Sequence, residues 1–441
     1  MVNNDFEKNQ DNQTKEIQNE DVIEEVVETK ESSVEELQTE EVTEIVAPKK
    51  KKNNFFKKIG LAFKNFFVKG EQQESGFIRY VKSDSFKSII ASLICVILGL
   101  LIGIGVIIIV NAQNSGVAIT TILKGGFNAP RWTRGVGAIL VNATPLLLCS
   151  LSIIFAYKCG LFNIGAPGQY VMGILFAFFG AYIFKAPWYV CVVLAGIGGA
   201  LWGTIPGIFK AFLNINEVIT SIMFNWIGLH ILNYFAGAGY GKMYNIYLAE
   251  CKPLPVAAKL PTLGMENIFG GYKYVTVAVF IAIALAIVVA IILNKTKFGY
   301  EIKATGFNKD AAKYVGMNYK RNIIITMAIA GTLAGVAAAC FYLTGYEVYS
   351  ATKQTSLPGM GFNGIAVAFL GCLNPIGAIF SSLFITHINV GGGYLDTTYY
   401  SSEIANLISS IIIYLCAFTL FIKHIMSKIK VHKKAKKEGK K

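Results

Sequence analysis

Charge is scarce in this sequence. Of its 441 residues, 15% are Asp, Glu, Lys or Arg and 54% are hydrophobic. Soluble domains carry about a quarter charged residues, so one large soluble domain is excluded. Paired cysteines are also missing. The eight cysteines are scattered and none forms a C-x-x-C pair, which argues against a disulfide framework or a zinc site. Each reads as a small buried apolar residue. Histidine is rare, with His230 and His387 alone in apolar runs and His424 and His432 in a basic tail. Packing or a hydrogen bond suits the first two better than a metal. There is no G-x-x-x-x-G-K-[ST] phosphate loop, no H-E-x-x-H and no G-x-S-x-G, so ATP binding by that loop and hydrolysis by those motifs are excluded. No run of Asp, Glu or Arg interrupts the middle of an apolar segment, which weighs against an ion-coupled carrier. No enzyme activity, catalytic residue, metal or cofactor is expected.

Long apolar runs are abundant. A helix needs about 20 apolar residues to cross a bilayer. Runs of that kind occur at 89–110, 136–157, 165–184, 188–209, 218–238, 275–293, 323–343, 357–372, 375–391 and 404–422. The expected fold is therefore an all-α integral membrane protein with about ten transmembrane helices. Segment 357–372 is short and glycine-rich, and fits a re-entrant half helix. The pairs Gly99/Gly103, Gly203/Gly207 and Gly331/Gly335 have the small-xxx-small spacing of close helix packing.

The net charge of +14 hides a division. Residues 1–46 hold 15 acidic residues against three lysines, a net of −12, so the remainder is +26. Four regions follow: an acidic, disordered tail over 1–48, a basic segment over 49–84, a membrane domain over 85–423 and a basic tail over 424–441. Within the second region Phe55, Ile59, Ala62, Phe63 and Phe66 share one helical face opposite Lys57 and Lys64. That pattern fits a helix lying on an anionic leaflet better than a nucleic-acid arm. Lysines before the first run and after the last place both termini in the cytoplasm, which requires an even number of spans. The outer stretch "CKPLPVAAKLPTLG" (251–264), with three prolines, reads as an irregular exposed loop.

Two stretches combine polar residues with helix breakers. "GLFNIGAPGQYVMG" (160–173) opens the third span, and "PGMGFNGIAVAFLG" (358–371) opens the eighth from the opposite side. Each contains a Phe-Asn pair among glycines, Phe162-Asn163 and Phe362-Asn363, as an inverted repeat would produce. Irregular backbone at membrane depth is tolerated only against protein or a water-filled cavity. Asn163, Gln169, Asn225 and Asn363 are the expected pathway residues, because amides both donate and accept. Phe162, Phe362 and Trp226 are candidate stacking partners. Hydrogen bonding between helices is an equal reading of Asn163 and Gln169, and core packing at least an equal one of each aromatic.

The inner loop Asn294–Arg321 holds seven Lys/Arg and two acids. Its pattern suggests a short helix over 300–304 starting after Gly299, a break at Gly306 after Ala304, a cap at Asn308, a second helix over 309–315 and a stop at Gly316. Ala304, Ala311, Ala312, Tyr314 and Val315 are apolar for a free loop, so the element, with Lys313, reads as a docking site for a cytosolic subunit.

Four stretches carry a resemblance: "ATPLLLCSLSIIFAYKCGLFNIGAPGQYVMG" (143–173), "NEVITSIMFNWIGLHILNY" (216–234), "GYEIKATGFNKDAAKYVGMN" (299–318) and "GFNGIAVAFLGCLNPIGAIFSSLFI" (361–385). In that order they resemble the permease subunits of bacterial ABC importers for nucleosides, in the branched-chain amino acid and simple sugar permease group. The resemblance covers roughly 85–425. It implies a plasma-membrane importer with a second, often non-identical permease, a cytosolic ABC ATPase docking on Gly299–Asn318, and an extracellular substrate-binding lipoprotein. Two positions depart from the family pattern: Pro167 stands where an acidic residue is usual, and Cys372 where Arg is frequent. Solute identity is therefore less firmly implied than transporter class. A simple-sugar permease such as a pentose system is the alternative, and an ion-coupled secondary transporter a more distant one.

Overall fold

The computed structural model describes residues 84–418 except Ser402. The chain divides into units Met1–Gly76 and Phe77–Lys441, and the described residues belong to the second. The acidic tail, the amphipathic helix expected over 54–69 and the basic tail over 424–441 lie outside them.

The described chain is predominantly helical with almost no sheet, and a helix is the form in which a lipid-embedded backbone satisfies its own polar groups. Its helices are α1 (Asp84–Val110), α2 (Ser115–Lys124), α3 (Trp132–Lys158), α4 (Ala166–Phe178), α5 (Trp188–Leu213), α6 (Glu217–Ala236), α7 (Met265–Ile268) and α8 (Ala278–Lys295). There follow α9 (Lys297–Phe307), α10 (Lys309–Tyr314), α11 (Tyr319–Tyr342), α12 (Gly359–Leu370), α13 (Pro375–Gly392) and α14 (Glu403–Ala417). Two residue-pair strands, Tyr244–Asn245 and Glu250–Cys251, pair antiparallel in the loop after α6.

Among the described residues eight helices are long and apolar enough to cross a membrane. Two of the ten expected segments are not among them. The segment at 357–372 forms α12, only 12 residues long, as a half helix requires. The last forms α14, with 15 described residues. Helix α2 was not expected. It tucks Ala118 and Ile122 inward, and His387 Nε2 lies 3.0 Å from the carbonyl of Leu123 at its end. His387 thus has the hydrogen bond expected of a lone histidine in an apolar run.

Helices α3, α4 and α11 are the most enclosed, whereas α1, α6 and α8 turn most of their side chains outward. Leu93, Leu101, Ile109, Val193, Ile219 and Ile291 stand exposed on those outer helices and on α5, as a lipid-facing surface demands. The packing is reciprocal: α3 lies against α12 and α13, and α11 lies against α4 and α5. An inverted repeat would exchange partners in this way.

All three glycine pairs serve close approach. A Cβ built on Gly331 or Gly335 would meet the backbone of α5 at Gly199 or Ala195. One on Gly99 or Gly103 would fall 2.7 or 2.8 Å from Ile412 or Ile408 of α14. Gly203 and Gly207 face Met327 of α11. Without large side chains the backbones come near enough for dispersion contacts along the whole crossing.

The stretch 251–264 is more ordered than its prolines suggested. Cys251, Ala258 and Leu260 are buried, and Leu260 N–H donates to the Leu343 carbonyl at 3.0 Å. Tyr349 Oη donates to Asn233 Oδ1 at 2.6 Å, and Lys353 pairs with Glu250 at 2.7 Å. Buried backbone groups in a loop need partners, and here the segment after α11 supplies them.

Candidate functional site

Chain irregularity creates the site. Between α3 and α4 the backbone breaks at Gly160–Gly165, and Pro167 in the first turn of α4 fits because its missing N–H would have had no helical acceptor. The break is tied down by amides. Asn163 Nδ2 donates to Ser152 Oγ at 3.0 Å and to Gln169 Oε1 at 2.9 Å, and Gln169 Nε2 donates back to Asn163 Oδ1 at 3.1 Å. Asn225 of α6 reaches across: its Oδ1 accepts from Gly168 N–H at 2.9 Å, and its Nδ2 donates to the Ile164 carbonyl at 3.0 Å. Each of these three amides is 1% exposed. Gly168 must be glycine at this contact, since a Cβ there would lie 2.6 Å from Asn225 Oδ1.

The second break behaves differently. Helix α12 starts beside the first: a Cβ on Gly361 would stand 2.5 Å from Pro167 N, so the opening turns of α4 and α12 touch. The residue six positions after Asn163 is Gln169, its partner, whereas six after Asn363 stands Phe369. Lacking such a partner, Asn363 points into a cavity of about 650 Å³. The cavity is lined by Arg134, Asn142, Tyr272, Tyr346, Asn389 and Tyr394 among others, and none of the described residues lining it is a carboxylate.

Of the seven residues expected on a pathway, the structure brings Asn163, Gln169 and Asn225 into one buried cluster and Asn363 alone to the cavity. Phe162 is half-buried beside the break. Phe362 and Trp226 are exposed, and Trp226 stacks on His230 with ring centroids 6.5 Å apart. Sequence reasoning missed Arg134, Asn142, Tyr272, Tyr346, Thr386, Asn389 and Tyr394. A signal existed for some: Arg134, Ala138, Asn142 and Leu146 repeat every four residues on α3, which places them on one face. Thr386, Asn389, Val390 and Gly393, at i, i+3, i+4 and i+7, likewise share one face of α13 and the residue just past its end. The tyrosines lie in loops, where no periodicity marks them.

In the cavity lining the Arg134 guanidinium sits 5.7 Å from the centre of the Tyr272 ring, a cation–π distance. Tyr272 meets Tyr274, and Tyr274 meets Tyr346, edge to face at 5.3 and 5.4 Å. Burial, then the neighbouring Tyr346 and Tyr274, push the Tyr272 phenol above its ordinary range, although Arg134 acts the other way. The phenol therefore stays neutral at physiological pH and can donate.

At the inner loop, Asn308 caps α10, its Oδ1 accepting from Asp310 N–H at 2.9 Å and Ala311 N–H at 3.0 Å, and Gly316 follows with φ +80. The expected break at Gly306 is corrected. Gly306 lies within α9, which runs from Lys297 to Phe307. It is needed small because the Lys158–Gly160 backbone abuts it, 2.6 Å from where a Cβ would be. The first helix begins earlier than expected because Thr296 Oγ1 accepts from Gly299 N–H at 3.1 Å. Ala312 is buried, while Phe307, Tyr314 and Val315 are exposed, the first two at 97% and 95%.

Comparison with known proteins matches this architecture to one family. The chain is 32% identical over 347 residues to the guanosine ABC transporter permease protein NupP of Bacillus subtilis, covering 78% of this chain and 97% of that one. It is 33% identical over 322 residues to the nucleoside ABC transporter permease protein NupB of Lactococcus lactis, covering 70% and 86%. A second guanosine ABC transporter permease protein of B. subtilis, NupQ, is 28% identical over 262 residues, covering 56% and 78%. No solved structure matches. Residues 135–417 fit the family described as the permease component of branched-chain amino acid transport systems, and the chain belongs to that family.

Proposed function

We propose that this chain is the permease subunit of an ATP-driven nucleoside importer, and that the cavity beside α12 is its share of the pathway. The observation that carries this reading is the cavity itself. Its volume of about 650 Å³ falls within the range of small-molecule sites, about 300–1,000 Å³. Its amides suit sugar hydroxyls and base edges, and its tyrosines offer faces for a base. Asn363 touches the solute. Asn163, Gln169 and Asn225 shape the path indirectly, by fixing the break against which α12 rests. Phe162, Phe362 and Trp226 lie outside the cavity lining and act, if at all, at its margins or against a second subunit.

ATP hydrolysis belongs to a cytosolic ABC ATPase that docks on α9 and α10. Tyr314 and Phe307, almost fully exposed beside Lys309 and Lys313, support that assignment, because large apolar groups left in solvent mark interaction sites. A non-identical second permease is supported by the two guanosine permease proteins of one bacterium to which the chain is similar. An extracellular binding lipoprotein completes the importer in the cell membrane, with both termini cytoplasmic. Uptake of labelled nucleoside into proteoliposomes tests the whole reading. Uptake only with the ATPase, the second permease, the binding protein and internal ATP is expected. Uptake by this chain alone along an ion gradient would make it a secondary carrier, and uptake of labelled ribose but of no nucleoside would make it a sugar permease.

A further inference from the structure

The cavity lining is electrostatically one-sided. Among the described residues that line it, Arg134 is the charged member and none is a carboxylate. Among the described residues Arg134 makes no ion pair, its partner being the Tyr272 ring at 5.7 Å. A guanidinium donates and never accepts. Whatever edge of a solute meets it must present acceptors. Other polar groups of the lining, such as Asn363 and Thr386, both donate and accept, so they discriminate weakly between bases.

Nucleobases differ at the edge a guanidinium would read. A 6-oxopurine presents O6 and N7 as two adjacent acceptors, matched by the parallel N–H groups of an Arg fork. Adenine presents N7 beside an amino donor, which opposes one arm of that fork. The pyrimidines divide in the same way, O4 of uracil against the amino group of cytosine. We propose that Arg134 is a specificity-determining residue of the pathway, favouring nucleosides whose base carries a carbonyl at this edge over those that carry an amino group. The Tyr272 ring, 5.7 Å from the guanidinium, packs against it within the same cavity lining. This inference rests on the reading of the cavity as a nucleoside pathway.

Binding by the membrane complex tests it, because a soluble binding protein would impose its own selectivity. The complex is purified through a tag on the full chain, without the solute-binding protein, and placed in lipid nanodiscs. Labelled guanosine is displaced by inosine, adenosine, uridine and cytidine. For the unaltered protein, inosine should match guanosine and adenosine should be about tenfold weaker, with uridine ahead of cytidine. Arg134→Gln should bring guanosine and adenosine within about twofold, chiefly by weakening guanosine. Arg134→Lys keeps a donor-only cation that can still meet O6 and N7, so guanosine should stay ahead of adenosine; Arg134→Met carries the test if the glutamine variant does not fold. A guanosine-to-adenosine ratio that Arg134→Gln or Arg134→Met leaves unchanged overturns the role of Arg134, as does equal binding of both by the unaltered complex. Failure of all five nucleosides to bind overturns the nucleoside reading, and this inference with it.

Discussion

Asn225 and Asn363 carry the same side chain and sit in opposite circumstances. Asn225 closes two backbone groups of the first break, at 2.9 and 3.0 Å, whereas Asn363 faces open volume. Truncating Asn225 strands a buried N–H and a buried carbonyl, each costing about 1–3 kcal/mol. Asn225→Ala should therefore lower the thermal unfolding midpoint in detergent by several degrees and reduce the yield of monodisperse protein. Asn363→Ala should leave that midpoint within about a degree, since no internal bond is lost, yet cut nucleoside uptake several-fold. Equal melting behaviour of the two variants would show that the amides do not divide into a structural and a solute-facing set.

At the scale of elements, backbone proximity is the organising feature. Gly199, Gly331 and Gly335 bring α5 and α11 into direct backbone contact. Gly199→Val would drive a branched side chain into the Gly331 carbonyl, and overpacking of this kind costs about 1–3 kcal/mol or more. The variant should fail to yield folded protein. Gly105→Ala in α1, where nothing lies within 4 Å of the added carbon, should behave as the parent; size-exclusion profiles of the two variants provide the comparison. The inner loop is the second element with a consequence. Lys313→Glu combined with Tyr314→Ala alters only exposed side chains, so membrane insertion should persist. Co-purification of the ATPase and uptake should both fall by about tenfold, and full activity of this double variant would move the docking site elsewhere.

For the whole molecule, the reciprocal packing of α3 on α12 and α13 and of α11 on α4 and α5 makes the two halves mutually dependent. The touching first turns of α4 and α12 couple the two breaks at Pro167 and Gly361. Helices that share such a contact shift together between states, and a transporter alternates access by biasing those populations. A chain truncated after α6 should therefore not fold alone, which protease resistance of the expressed fragment would reveal. Deletion of residues 1–46, acidic and remote in composition from the membrane domain, should leave uptake at the parent level.

The sequence by itself determined the membrane class, the approximate spans, the short helix at 357–372 and the cap at Asn308. These depend on apolar run length and on residues within a few positions of each other, where local chemistry decides. The packing role of Gly331 and Gly335 was legible for the same reason, since four-residue spacing puts both on one face. Only the tertiary structure decided which amides face inward and which face a cavity. Asn163 and Asn363 each follow a phenylalanine among glycines, and they differ through Gln169, Ser152 and the opposing helices. Gly306 misled because a glycine demanded by a neighbouring backbone looks the same in sequence as one that ends a helix. The cavity was beyond sequence reach because Arg134, Tyr272, Asn363 and Asn389 come from four distant segments, and long-range packing alone gives them a common space.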